Sequence, residues 1–203
     1  MGVYDRLYCG GCRKGRTMYK NKEIIDKLKE GNKKYIDAKT NDGDISADIR
    51  KDTTVNGQHP YAIVVTCSDS RVIPESIFSA GIGEIFVIRV AGNVIGEHEL
   101  GSIEYAAGHL GTKVIMVLGH THCGAVGATL QGGAEGYTKL LTDAIKKAIG
   151  DEKDESKACA LNVNRGVEII NKALENHEEI KASEVDVLGA VYDIETGKVD
   201  FFE

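Results

Sequence analysis

Three short apolar runs set the frame of the chain. "YAIVVTC" (61–67), "EIFVIRVAG" (84–92) and "KVIMVLG" (113–119) are continuous and rich in β-branched residues. Runs of this length and composition read as strands buried on both faces, as in a parallel sheet. Helical spacing appears between and around them. In "KNKEIIDKLKEGNKKYIDA" (20–38), Ile24, Ile25, Leu28, Tyr35 and Ile36 recur at roughly one face, with Gly31 a soft spot. A short helix is predicted from Pro74 to Ala80 and a longer one from Glu97 to Leu110. Gly124–Leu130, Tyr137–Ile149 and about Ser156–Glu178 also read as helices, whereas the polar stretch Asn41–Gly57 reads as irregular. The end, "VDVLGAVYDIETGKVDFF", gives two strands around Glu195-Thr196-Gly197, a hairpin signal. Strands alternating with helices predict an α/β fold: a mostly parallel central β-sheet flanked by helices, with a C-terminal β-hairpin edge.

In such sheets the ligand site lies beyond the carboxyl ends of the strands. Two strand ends carry polar clusters. "YAIVVT" runs into Cys67-Ser68-Asp69-Ser70-Arg71, and "KVIMVLG" runs into His120-Thr121-His122-Cys123-Gly124. Two thiols and an imidazole are a zinc set, since this borderline-soft ion takes thiolate and imidazole in a tetrahedron. The H-x-x-C spacing lets one tight turn aim His120 and Cys123 the same way, and Cys67 arrives from the adjacent strand end. Three protein ligands leave a fourth position open, the arrangement of a catalytic centre. Taken singly, Cys67 is equally a buried small hydrophobe and His120 a satisfied turn histidine. Asp69 and Arg71 can form a bidentate ion pair that keeps the carboxylate off the metal; the plain alternative is a salt bridge that shapes the turn. His122, next to Cys123, is expected to be a surface or pocket-edge histidine, with a proton-shuttle role as the alternative.

Composition narrows the class. The 203 residues allow one domain, here 21–203, preceded by a basic arm over 1–20 expected to be mobile. The formal net charge of −6 and the lack of a long basic run argue against nucleic acid or an anionic membrane as partner. The apolar runs are too short to span a bilayer. The first twenty residues lack a secretory apolar core, so a cytoplasmic protein is expected, with its five cysteines reduced. Cys9 and Cys12 form a C-x-x-C read as incidental or accessory, with a redox pair as the alternative. Cys159 reads as a buried filler in a helix, and "GDEKDESK" (150–157) as a solvated loop.

"TCSDSRV" followed by "GHTHCGAV" resembles the β-class carbonic anhydrases, whose signature is C-x-D-x-R and then H-x-x-C. "GNKKY", "GQHPYAIVVTCSDSRV", "GEIFVIRVAGN", "GSIEYAAGHLGTKVIMVLGH" and "GAVYDIETGKV" extend the likeness from about residue 22 to the end. The resemblance implies one zinc ion per chain on Cys67, His120 and Cys123, with Asp69 and Arg71 as the catalytic dyad. It implies a pocket of Gln58, Phe86, Ala91, Tyr105 and Gly124, partly shared across a dimer that is often doubled to a tetramer. The implied reaction is reversible hydration of carbon dioxide by zinc-bound hydroxide, giving bicarbonate and a proton. Relatives that hydrolyse carbonyl sulfide or carbon disulfide are the alternative. Some family members are switched by bicarbonate through a site that includes a tryptophan three residues before the first cysteine. Val64 stands there, so the permanently open form is expected and Arg89, another position of that site, is discounted.

Overall fold

The computed structural model describes residues 21–38, 41–175, 177, 180 and 184–202. The basic arm and the Cys9–Cys12 pair therefore lie outside the described residues. β1 (Ala62–Thr66), β2 (Ile85–Arg89) and β3 (Val114–His120) fall on the three apolar runs. They join β4 (Asp186–Tyr192) and β5 (Val199–Phe201) in one sheet of order β2-β1-β3-β4-β5. All pairings are parallel except the last, so β4 and β5 form the antiparallel edge that the hairpin signal predicted. Asp193 closes that hairpin by accepting from the Thr196 N–H at 2.7 Å, and Gly197 supplies a left-handed φ of 78°.

Every residue of β1 and β3 is buried, because helices cover both faces. On one face Val64, Met116 and Leu118 pack with Ile24 and Leu28 of α1 (Asn21–Ala38) and with Phe78, just after α3 (Pro74–Ile77). On the other, Ile63, Val65, Ile115 and Val117 meet Ile103 of α4 (Glu97–Glu104) and Val163 and Ile170 of α7 (Glu155–Glu175). Gly119 and Gly189 make the second face close-fitting. A Cβ on Gly119 would stand 2.5 Å from a Val163 methyl, and one on Gly189 would stand 2.8 Å from the other. Val163 thus drops between β3 and β4 and seats α7 directly beneath the end of β3.

Three local expectations differ from what forms. Residues 47–56 are a helix, α2 (Ala47–Asn56), with the Ser46 side chain accepting from the Ile49 N–H. It buries no residue, so its sequence carries no apolar stripe to betray it. The predicted Glu97–Leu110 helix changes hand-hold at Tyr105. Residues Tyr105–His109 form one π turn, ending with the Leu110 N–H on the Tyr105 carbonyl. Gly31 is a packing requirement rather than a soft spot. A Cβ there would stand 2.0 Å from the Phe78 carbonyl oxygen. The obstacle is backbone, so Gly31→Ala is expected to cost at least the roughly 1–3 kcal/mol usual for overpacking. A lowered urea midpoint at unchanged slope checks it; an unchanged midpoint would contradict the tight α1–α3 crossing.

The remaining helices, α5 (Gly124–Leu130) and α6 (Thr138–Ile149), follow β3 and pack over its carboxyl end, with Val126, Ile145 and Ile149 in a third apolar cluster. Among the described residues no helix is long and apolar enough to cross a membrane.

Candidate metal centre

β1 leads directly into Cys67, β3 ends on His120, and Cys123 is the residue before the first turn of α5. Parallel pairing sets Thr66 opposite Leu118, so both strands deliver their polar ends to one place. The two sulfurs and a His120 ring nitrogen all lie within 4.8 Å of one another. The residues are only 5%, 1% and 2% exposed for Cys67, His120 and Cys123.

The polar atoms of the three fit a metal ion. His120 Nδ1 stands 2.9 Å from the Thr121 carbonyl, which can only accept, so the ring hydrogen sits on Nδ1. Nε2 then carries a free lone pair, and it is buried with no hydrogen-bond partner. A buried acceptor without a donor is costly unless something electropositive meets it. Cys67 Sγ accepts N–H groups from Gly92 at 3.2 Å and Asp69 at 3.4 Å. The Cys123 side chain beside it, then His120 and these two N–H groups, lower the Cys67 pKa despite burial. Cys123, facing that thiolate and buried, is pushed up. One imidazole nitrogen and two sulfurs at a single buried point suit zinc, with a fourth position left over.

Asp69 and Arg71 form the expected fork. Arg71 Nε donates to Asp69 Oδ1 at 2.9 Å and Nη2 to Oδ2 at 2.8 Å, and the Arg71 backbone N–H adds a third bond at 2.9 Å. These bonds hold the Asp69 carboxyl well below the usual carboxylate range. Arg71 Nη2 also reaches the His122 carbonyl at 3.1 Å, tying the two ligand loops together. His122 adopts φ 55° to offer that carbonyl, and its own ring is 71% exposed, 3.8 Å from Glu155.

The five pocket residues divide. Ala91 precedes Gly92, the donor to Cys67, and Gly124 follows Cys123 with nothing within 4 Å of where a Cβ would stand. Phe86 lies opposite Ile63, four residues before Cys67, or roughly 13 Å away along the strand. Its ring packs on Tyr105, with centroids 6.1 Å apart, and Gln58 is exposed just beyond α2. Within one chain, then, Phe86 does not stand beside the Cys67–His120–Cys123 point.

Sequence reasoning missed Gly92 and Asn162 as supporting residues, and named Arg89 only to discount it. Arg89 donates from Nε to the Cys67 carbonyl at 3.1 Å and from Nη2 to the Asp69 carbonyl at 2.7 Å, gripping the ligand loop from β2. Asn162 donates to the Gly92 carbonyl at 2.8 Å, and Gly92 in turn donates to Cys67. A lone arginine closing an apolar strand and an asparagine within the apolar stripe of a helix were the available signals. Cys159 is buried, as expected, and packs with Cys67 and Cys123.

Fold and site together define an α/β protein of the β-carbonic anhydrase type with a buried Cys–His–Cys set able to hold a metal. A family model for carbonic anhydrase matches residues 62–199, and the chain belongs to that family. Carbonic anhydrase 2 of Mycobacterium tuberculosis is 47% identical over 103 residues, covering 51% of this chain and 49% of the relative. The chain thus spans about half the length of that relative. Carbonic anhydrase of Pseudomonas aeruginosa is 33% identical over 161 residues, covering 70% and 73%. Among solved structures, the β-carbonic anhydrase CcaA superposes with a TM-score of 0.65 at 27% identity, covering 89% of this chain and 90% of that one.

Proposed function

We propose that this chain catalyses the zinc-dependent, reversible hydration of carbon dioxide to bicarbonate and a proton, in the cytoplasm, as a homodimer or a dimer of dimers. The observation that carries the reading is the ionised Asp69–Arg71 fork two residues from a buried Cys67–His120–Cys123 set. A zinc ion held there supplies Lewis acidity that makes water a nucleophile near neutral pH.

The chain's own residues do the rest. Asp69, kept ionised by Arg71, accepts a hydrogen bond from the attacking water and orients its lone pair toward the substrate carbon. Arg71 also prevents that carboxylate from turning onto the metal. Carbon dioxide is apolar and uncharged, so it suits walls made by Phe86, Ala91 and Tyr105, with Gln58 donating to one oxygen. Gly124 keeps the substrate's approach open. Tyr105 is 39% exposed and packs at a tilt on Phe86, which itself stands away from its own chain's Cys67, and this favours a pocket completed by a second copy.

Stopped-flow carbon dioxide hydration with zinc determined on the same sample tests this. About one zinc per chain and hydration that rises between about pH 6.5 and 9 are expected. Two thiolates neutralise a divalent ion more than three histidines do, so the governing pKa should lie above that of a three-histidine centre. Zinc-loaded protein without hydration activity would overturn the reaction; absence of stoichiometric metal would overturn the site.

A further inference from the structure

We infer that Asn162 is a positioning residue for the metal ligand Cys67, acting through Gly92; the inference rests on the metal site proposed above. Asn162 stands on the inner face of α7, where Ala158, Cys159, Val163, Gly166 and Ile170 are its buried companions. An asparagine in an apolar stripe costs free energy unless its amide is used. Here it is used: Nδ2 donates 2.8 Å to the Gly92 carbonyl, in a fully buried contact spanning 70 residues of sequence.

Gly92 is a position with little freedom to spare. Its φ is 72°, a left-handed conformation, and a Cβ would stand 2.8 Å from Ile145 Cδ1 and 3.0 Å from the Ala125 Cβ. Its two flanking peptide planes do different things. The plane before it aims an N–H at Cys67 Sγ at 3.2 Å, while the plane after it carries the carbonyl that Asn162 holds. The two planes are related by φ 72° and ψ 16° at Gly92, so holding the second plane, with φ confined by the packing around Cα, limits where the first plane can point. The seat of α7 is itself rigid, since Val163, the next residue, is wedged between Gly119 and Gly189. The helix therefore presents Asn162 at a set height beneath the centre. The hydrogen bond to sulfur orients the Cys67 lone pairs and draws charge from the thiolate, as partners of metal ligands do.

The test uses zinc affinity by chelator competition and the sulfur-to-metal charge-transfer band of the cobalt-substituted protein. Asn162→Leu removes the donor, and Asn162→Asp replaces the amide with an isosteric carboxylate that cannot donate when ionised. Both are expected to weaken zinc binding about 10- to 100-fold and to shift the cobalt band, with far-UV circular dichroism retained. Ile170→Val, two turns further along the same buried face, controls for a general loosening of α7 and should leave both readouts alone. Folded Asn162 variants with wild-type affinity and spectrum would overturn the inference, as would an equal loss in Ile170→Val. Independently of any variant, wild-type protein loaded with a spin-active cadmium isotope should show scalar coupling between the metal and the Gly92 amide proton. Absence of that coupling in a metal-loaded protein would also overturn it. Failure of the wild-type chain to bind zinc, cobalt or cadmium at all would instead strike the metal site itself.

Discussion

Arg71→Ala should lower carbon dioxide hydration by about 10²- to 10³-fold with zinc content unchanged, the loss typical when one preorganised charged partner leaves a reacting site. Three hydrogen bonds from Arg71 hold the Asp69 carboxylate in one orientation. Two of them are lost in the variant, and only the backbone N–H remains. The freed carboxylate is an oxygen donor within two residues of Cys67, and carboxylates are good zinc ligands. It then competes for the open position and no longer orients the water. Stability should hardly move. The Arg71 side chain is 50% exposed, and solvent screening leaves a pair with such a member little weight in stability. The sign of the pH dependence agrees. The Asp69 pKa is depressed in the folded chain, so the pair stabilises above the ordinary carboxylate value of 3.8 and its contribution fades as pH falls through the folded value. Nothing is lost near neutrality. A large fall in rate at constant melting temperature therefore separates a catalytic pair from a salt bridge that shapes the turn. Wild-type rates in a zinc-loaded variant would leave only the structural role. Arg71→Lys keeps the charge without the planar fork and should fall between the two.

What the sequence revealed and what it concealed follow from where the determining contacts lie. β1 and β3 were legible because strands covered on both faces need unbroken β-branched runs, and polar residues begin where they end; β2 has the same kind of run but forms the sheet edge, with only Ile85 and Ile88 buried. Cys67, His120 and Cys123 were legible because their chemistry is local, a metal-binding side-chain type at each strand end with H-x-x-C spacing between two of them. α2 was not, since a helix with no buried residue has no apolar period, and its one signal is the Ser46 cap. Gly31 read as a weakness because its reason, the Phe78 carbonyl, lies 47 positions away in the chain. Arg89 and Asn162 were concealed for the same cause: each acts on backbone groups brought near only by the sheet and by the α7 packing. Phe86 and Tyr105 are legible only through resemblance, and one chain does not place Phe86 beside the ligands.

Removal of His120 is expected to have the largest effect of any single change. His120→Ala should reduce zinc from about one per chain to below detection and hydration to the uncatalysed background. The residue is 1% exposed at the last position of β3, paired with Tyr192, and its Nε2 is buried with no hydrogen-bond partner. Without it only two sulfurs of the set remain, and thiols bind a metal only by giving up their protons. Loss of activity alone would not identify the cause, because a truncated buried histidine also leaves a cavity. Ligand-linked stability does identify it. A ligand present at a thousandfold excess over its dissociation constant stabilises the folded state by about 4 kcal/mol. Adding zinc to chelator-stripped wild type should raise the urea midpoint by a corresponding amount, and adding it to His120→Ala should leave the midpoint where it was. The cavity cost is the same with and without zinc in the variant, so it cancels from the comparison. A variant stabilised by zinc as strongly as the wild type would place the metal elsewhere on the chain, and Cys67, His120 and Cys123 would lose their role together.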